Sequence, residues 1–310
     1  MTMQVEKEKR SEHSIGLING FIAYIIWGAV VLYWPYLAPA QPLEILAHRI
    51  LWSLLFVAAI LIYQKRIVSL RVVLKNSRQM KLLLIASLLI GLNWGLFIWA
   101  TMNDHVLDSS LGYYITPLLN VALGVFFFKE KLRRMQWVAI GIAAFAVLFI
   151  TLAMGVLPWV ALSLATSFAM YGYVKKLANV EALESLMIET LILTPVAIGY
   201  LIWLQFNGGN TFLAYGLDHT LWLASAGIVT AIPLLAFGVA IVRLPLTTLG
   251  MLQYIGPTIQ FMVGVWITQE NMPQERFIGF AITWVALVIL TIDALRNRRN
   301  VNKSLVTNPD

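Results

Sequence analysis

Long apolar runs separated by short polar breaks set the pattern of this chain. Ten segments, at 15–36, 43–63, 80–101, 107–128, 134–152, 157–177, 184–206, 219–241, 246–267 and 274–295, are each close to the length a membrane crossing requires. A hydrocarbon core about 30 Å thick takes about 20 apolar residues of helix. The pattern predicts an all-α polytopic membrane protein with ten transmembrane helices. The first run follows a basic leader and ends near Ala38-Pro39-Ala40, as a cleavable signal peptide would. Its apolar core is longer than the roughly 7–15 residues of such signals, so it is read as a retained span.

The polar breaks carry their charges unevenly. With the N-terminus placed in the cytoplasm, all but two of the 22 Lys and Arg residues fall on the cytoplasmic side, in the leader, in QKRIVSLRVVLKNSRQMK, in KEKLRR, at Lys175, Lys176 and Arg243, and in the tail. The exceptions are Arg276, in an outer loop, and Arg49, inside a span. Basic loops stay inside, so both termini are expected in the cytoplasm of a cell (inner, plasma) membrane protein. The net charge of +7 is then an orientation signal, and nucleic acid is not an expected partner.

The apolar pattern also repeats. YITPLLNVALGVFFFKE (114–130) and YIGPTIQFMVGVWITQE (254–270) share Tyr, Ile, Pro, Gly, Val and Glu in register. This divides the chain into two five-helix repeats, 15–153 and 156–295, with tails at 1–14 and 296–310. Five spans is an odd number, so the second repeat enters the membrane upside down relative to the first. Inverted repeats are the architecture of many alternating-access transporters, with solute held between the halves. GYYITPLLN, together with PLEILAHRILWS, GLNWGLFIWA and LGMLQYIGPTIQF, resembles the chloramphenicol-sensitivity branch of the drug/metabolite transporter superfamily, whose members carry two EamA-type repeats. The likeness runs from about Ile15 to Leu290. It implies ten helices and carriage of small molecules across a bacterial inner membrane, and it names no substrate.

Polar residues inside the apolar runs are the candidate chemistry. Tyr113, Pro117, Asn120 and Gly124 share one helix stripe, and Gln253, Pro257, Gln260 and Gly264 repeat it, while Asn93 adds an amide at similar depth. Two readings are open: the stripes line a water-filled path, or they hydrogen-bond helices together. Pro117 and Pro257 lack an amide hydrogen, so each helix is expected to kink there, as a hinge or as a static bend. Trp34, Tyr36, Tyr63 and Trp159 read as interfacial anchors. Trp27, Trp94, Tyr114, Tyr171 and Tyr254 lie deeper, where they either pack or stack on an apolar or aromatic solute. Gly91 and Gly95 form a small-residue ridge suited to close helix packing.

Ionisable groups sharpen this further. Arg49 lies roughly 9 Å inside the second span, while Glu44 and His48, four residues apart, share a stripe and are placed to meet. Arg49 is either a fixed charge on the solute path, with His48 and Glu44 exchanging protons, or a cation reaching up to the interface. Asp104, His105 and Asp108 read as solvated turn residues, with partnering of Arg49 or weak cation binding as the alternative, Glu189 as interfacial or as a proton relay, Glu130 and Glu270 as helix-end residues, and Asp293 as a partner of Arg296.

Composition agrees with the pattern: 60% of the 310 residues are hydrophobic and 12% charged, against about 45–50% and 25% in soluble domains. There are no cysteines, so no disulfide forms. No Walker motif indicates ATP, no HxxxH pair indicates a metal, and no paired buried acids indicate an enzyme. No cofactor is expected. The expected function is a secondary transporter that moves a small amphipathic or aromatic metabolite or drug by alternating access, with small molecule and bilayer as partners, as monomer or homodimer. A non-transporting receptor or assembly subunit, or an intramembrane enzyme, is the alternative.

Overall fold

The computed structural model describes residues 2–128, 133–241, 243–244 and 252–307, and no strand occurs among them. Helix α1 (Thr2–Ala29) runs into two 3-10 turns, Val30–Leu32 and Trp34–Leu37. There follow α2 (Pro42–Tyr63), α3 (Ile67–Lys75), α4 (Ser77–Met102), α5 (Val106–Phe128) and α6 (Arg134–Met154). The second half holds α7 (Trp159–Ala178), α8 (Ala182–Phe206), α9 (Gly216–Ile241), α10 (Ile255–Trp266) and α11 (Gln274–Thr307).

Local chemistry sets these boundaries. Pro42 opens α2, where its missing amide hydrogen has no intrahelical acceptor to lose, and Glu44 sits in the positive first turn. Asn76 caps α4 by accepting from the amide of Gln79 at 3.2 Å. Gly155, with φ +69°, follows α6 and lets the chain reverse into α7 without a Cβ clash.

Among the described residues, seven helices hold stretches long and apolar enough to cross a membrane: Glu12–Leu32, Pro42–Tyr63, Ser77–Met102, Arg134–Met154, Ala182–Phe206, Gly216–Ala240 and Gln274–Asp293. Exposed rows such as Leu84, Leu88 and Leu92, or Val285, Val288 and Ile292, face outward. Such continuous apolar surface suits lipid and would be untenable in water. Helix α10 is shorter, with 12 residues, because Gln253 and Tyr254 form a turn and the helix starts at Ile255; the first residues of the ninth expected segment lie outside the described ones. The basic loop after α2 is not irregular: α3 is amphipathic, burying Val73 and exposing Val68 and Val72. That is the form of a helix lying in a membrane interface.

The packing pairs follow one rule. Helix α6 lies against α11, α2 against α8, and α5 against α10. Helix α1 packs on α9 as α4 packs on α7, α1 on α10 as α5 on α7, and α2 on α9 as α4 on α8. All of these join a helix before Gly155 to one after it, so the two halves interlock. Glycines permit the closest crossings. A Cβ on Gly227 of α9 would lie 2.3 Å from the backbone of Trp52 in α2, and one on Gly279 of α11 would lie 2.2 Å from Ile150 in α6. Gly91 and Gly95 serve the expected ridge, facing Leu193 of α8 and Leu46 of α2.

Candidate functional site

Arg49 is the centre of the most unusual polar site in the described residues. It sits on α2 at 7% exposure, with Nε and Nη1 lacking any protein hydrogen-bond partner. The guanidinium carbon lies 4.2 Å from the ring centroid of Trp94 (α4) and 5.1 Å from that of Trp34. Trp34 is fully buried, not an interfacial anchor, because the 3-10 turn after α1 folds it inward. Cation–π contacts contribute about 0.5–2 kcal/mol each. They act through the ring faces, and they leave the in-plane N–H donors of the guanidinium unmet. No carboxylate among the described residues pairs with Arg49, so Asp104 and Asp108 are not its partners.

A polar shell extends behind the cation. The hydroxyl of Tyr113 (α5) donates to Asn93 Oδ1 at 3.4 Å, and Asn93 Nδ2 donates to Leu164 O and Ser167 Oγ of α7, each at 3.0 Å. Tyr33 donates to Trp222 O at 2.6 Å and shares a 2.8 Å hydrogen bond with Ser225 of α9. Asn93 is 1% exposed, and both ends of its amide are engaged, so it ties α4 to α7 and positions Tyr113. One turn on from Arg49, Ser53 Oγ is also buried without a protein partner, as is Trp34 Nε1. Buried polar atoms are normally satisfied, which makes this cluster of unmet groups a feature to be explained.

His48 turns away from Arg49, as successive helical residues do. Its ring stacks on Phe212, with centroids 4.6 Å apart, and neither ring nitrogen has a protein partner. It lines a groove of about 460 Å³ with Leu51, Trp52, Leu55, Thr194 and Ile198. The expected Glu44–His48 meeting does not occur. Glu44 Oε1 instead accepts from Thr211 N at 2.7 Å and Thr211 Oγ1 at 2.9 Å, and Thr211 Oγ1 shares a 2.7 Å hydrogen bond with His219. The α8–α9 connection folds over the start of α2 and captures the carboxylate first.

The two polar stripes are treated differently. Tyr114 is buried, and its hydroxyl shares a 2.7 Å hydrogen bond with Thr258 of α10. Gln260 is buried, its Nε2 donating to Trp27 O at 3.3 Å while Oε1 has no protein partner. Asn120 is exposed, and Gln253 and Tyr254 are half-buried. Pro117 lies inside α5 as expected. Pro257 does not interrupt a helix, because α10 begins at Ile255 with Tyr254 as its cap. In a first turn the missing amide hydrogen breaks no intrahelical bond. Its carbonyl accepts from Ser110 Oγ at 2.7 Å, joining α10 to α5. Gly264 lets α10 approach α5, since a Cβ there would meet Leu107 at 2.5 Å.

Several charges reach partners that chain position did not suggest. Glu189 is fully buried, not interfacial, and its Oε1 accepts from Lys175 Nζ at 2.7 Å and Ser185 Oγ at 2.6 Å, while Tyr171 donates to Oε2 at 3.0 Å. Asp293 pairs with Arg133 at 2.7 Å rather than with Arg296. Arg66 pairs with Glu181 and, at 2.7 Å, with buried Glu184. Asp108 bridges His105 and Arg276, each at 2.7 Å. Glu270 takes a helix-end role, accepting from Val106 N at 2.5 Å and Leu107 N at 3.0 Å at the start of α5; Glu130 lies outside the described residues. A sequence signal did exist for Glu189. Laying PLEILAHRI over ALESLMIET in the register of the repeat sets Glu44 opposite Glu184 and Arg49 opposite Glu189.

Comparison with known proteins agrees with this architecture. Residues 14–152 match the EamA-like transporter family. The protein RarD of Streptomyces exfoliatus is 49% identical over 297 residues, covering 96% of this chain and 93% of that protein. A Vibrio cholerae protein described as an uncharacterized transporter is 42% identical over 281 residues, covering 91% and 93%. A solved crystal structure, 16% identical, superposes with a TM-score of 0.60 over 89% of this chain and 97% of its own, which shows a shared fold. With nearly half of its residues shared along almost its whole length, this chain belongs to the RarD family of EamA-type drug/metabolite transporters, which are membrane transporters and not enzymes.

Proposed function

We propose that the protein is a secondary transporter whose two inverted five-helix repeats, 15–153 and 156–295, alternate access to a solute held near Arg49. The solute is a small amphipathic or aromatic metabolite or drug. The packing pattern carries this reading: exchanging the two halves maps each of the helix pairs named above between the halves onto another of them or onto itself. A molecule built so has two related arrangements, each opening the opposite end, as inverted-repeat transporters do.

Polar links between the halves at both ends support the reading. Where the basic loops lie, Arg66 meets Glu181 and Glu184, Arg133 meets Asp293, and Arg243 meets Glu12. At the other end Glu44 holds Thr211, Glu270 holds the start of α5, and Asp108 holds Arg276. The links differ in burial: Arg243–Glu12 is exposed, a kind of pair worth only about 0–1 kcal/mol, whereas Glu44, Glu184, Glu270 and Asp293 are buried. Two states differing by a few kcal/mol exchange readily, and polar links that one end keeps while the other breaks suit ends that open in turn. On this reading the basic end, with both termini, faces the cytoplasm.

The test is solute flux into proteoliposomes containing only this protein, screened with amphipathic and aromatic solutes. Saturable uptake with accelerated exchange from preloaded vesicles is the expected result. Rates equal to protein-free vesicles across the screen would end the transporter reading.

A further inference from the structure

We propose that Arg49 binds a planar oxyanion, a carboxylate, on the transported solute, with Trp34 and Trp94 fixing the guanidinium from its faces. This rests on the transporter reading and specifies the substrate: a monocarboxylate with an apolar or aromatic body, rather than a neutral or cationic amphiphile.

The geometry assigns each part. A guanidinium does not lose its proton in practice, so the buried charge persists and requires a counter-charge. The guanidinium carbon lies over the rings of two indoles, at 4.2 and 5.1 Å from their centroids. Nε and Nη1 point into the plane with no protein acceptor. Each forms an edge of the guanidinium together with Nη2, and such an edge is what a carboxylate meets with two parallel hydrogen bonds. Ser53 Oγ, one turn on along α2, and Trp34 Nε1 are also buried and unpartnered donors. In the repeat-related position Glu189 is already satisfied by Lys175, Ser185 and Tyr171. One half thus completes its buried charge within the protein, and the other leaves it for a ligand. Snorkelling to headgroups is the simpler use of an intramembrane arginine, but Trp34, itself fully buried, stands against the guanidinium.

The shared chemistry is an oxyanion, and a lipid headgroup phosphate or free phosphate is another source of one. Full-length protein in neutral maltoside detergent is titrated calorimetrically with benzoate, phenylacetate and octanoate, with benzyl alcohol and benzylamine as neutral and cationic counterparts, and with inorganic phosphate. Carboxylates are expected to bind, and about tenfold or more tighter than their counterparts. Arg49→Gln should abolish that preference, and Arg49→Lys should weaken it, since an ammonium keeps the charge and loses the fork. Arg49→Met removes an unpaired buried charge. Without ligand it should melt at or above the wild-type temperature, which shows that lost binding is not lost folding. Equal binding of carboxylates and their counterparts, or an unchanged preference in Arg49→Gln, overturns the proposal. So does tighter binding of phosphate than of carboxylate. Nanodiscs of phosphatidylcholine with and without phosphatidylglycerol form the lipid arm. Stabilisation by the anionic lipid that depends on Arg49, without any carboxylate response, assigns the cation to a headgroup and overturns the proposal. Carboxylate binding without flux would defeat the transporter reading alone. Flux of a neutral solute unchanged by Arg49→Gln would defeat this proposal alone.

Discussion

Glu270 shows how one residue is placed by competing forces. Its carboxylate caps α5 through the amides of Val106 and Leu107, an interaction that favours the charged form. Burial outweighs this, and its pKa is raised above the ordinary 4.5. The folded state therefore takes up the proton before the unfolded chain does. Ionised Glu270 carries a folding cost above the raised pKa, and that cost is relieved as pH falls through it. Glu270→Gln never carries the charge. Its melting temperature relative to wild type is expected to be more favourable at pH 7 and to fall back toward parity as pH drops to about 4.5. Thermal unfolding of both proteins across that range checks this, and a difference that does not vary with pH would refute it.

At the scale of elements, the two repeat-related prolines have parted. Pro117 interrupts α5 from within, so Pro117→Ala restores a donor to the middle of that helix. Pro257 stands in the first turn of α10, where no intrahelical bond is missing. The expected outcome is unequal: Pro117→Ala shifts the accessibility of single cysteines placed at the two ends of α5, and Pro257→Ala leaves them near wild type. Equal shifts from both would restore the symmetric hinge. Small residues act at this scale too, since Gly227 and Gly279 stand where α9 meets α2 and α11 meets α6.

On the proposed orientation, the whole molecule takes its direction from the charges. The chain has no cysteine of its own, so introduced ones report cleanly. Cysteines at Lys75 and Asn300 are expected to react with an impermeant maleimide only from the cytoplasmic side, and one at Asn210 only from outside. Outside labelling at position 75 would invert the topology. The interlocked halves also bear on stability. Helices of one repeat pack chiefly on those of the other, so neither half buries its polar face alone. Separation of the chain at Gly155 would strand Asn93, whose amide depends on α7.

Much of this was legible along the chain. Apolar run length is a local property, so the long helices and the membrane class followed from it directly, while α1 and α11 run past the expected segments to Thr2 and Thr307. The proposed repeats rest on a match that the chain itself displays, since Tyr114, Pro117 and Gly124 recur at Tyr254, Pro257 and Gly264. Arg49 was conspicuous because a charge inside an apolar run has few innocent explanations. What stayed hidden depends on contacts between residues far apart in the chain. Glu44 and His48 share a stripe, yet the carboxylate turns to Thr211, which the α8–α9 connection brings within 2.7 Å. Asp293 passes over nearby Arg296 for Arg133. Trp34 has the composition and position of an interfacial anchor, and only the turn after α1 sends it inward against Arg49. Spacing along a helix states which residues are able to meet. Which partner each one takes is decided by the element that arrives opposite, and that is set by the packing of the two halves.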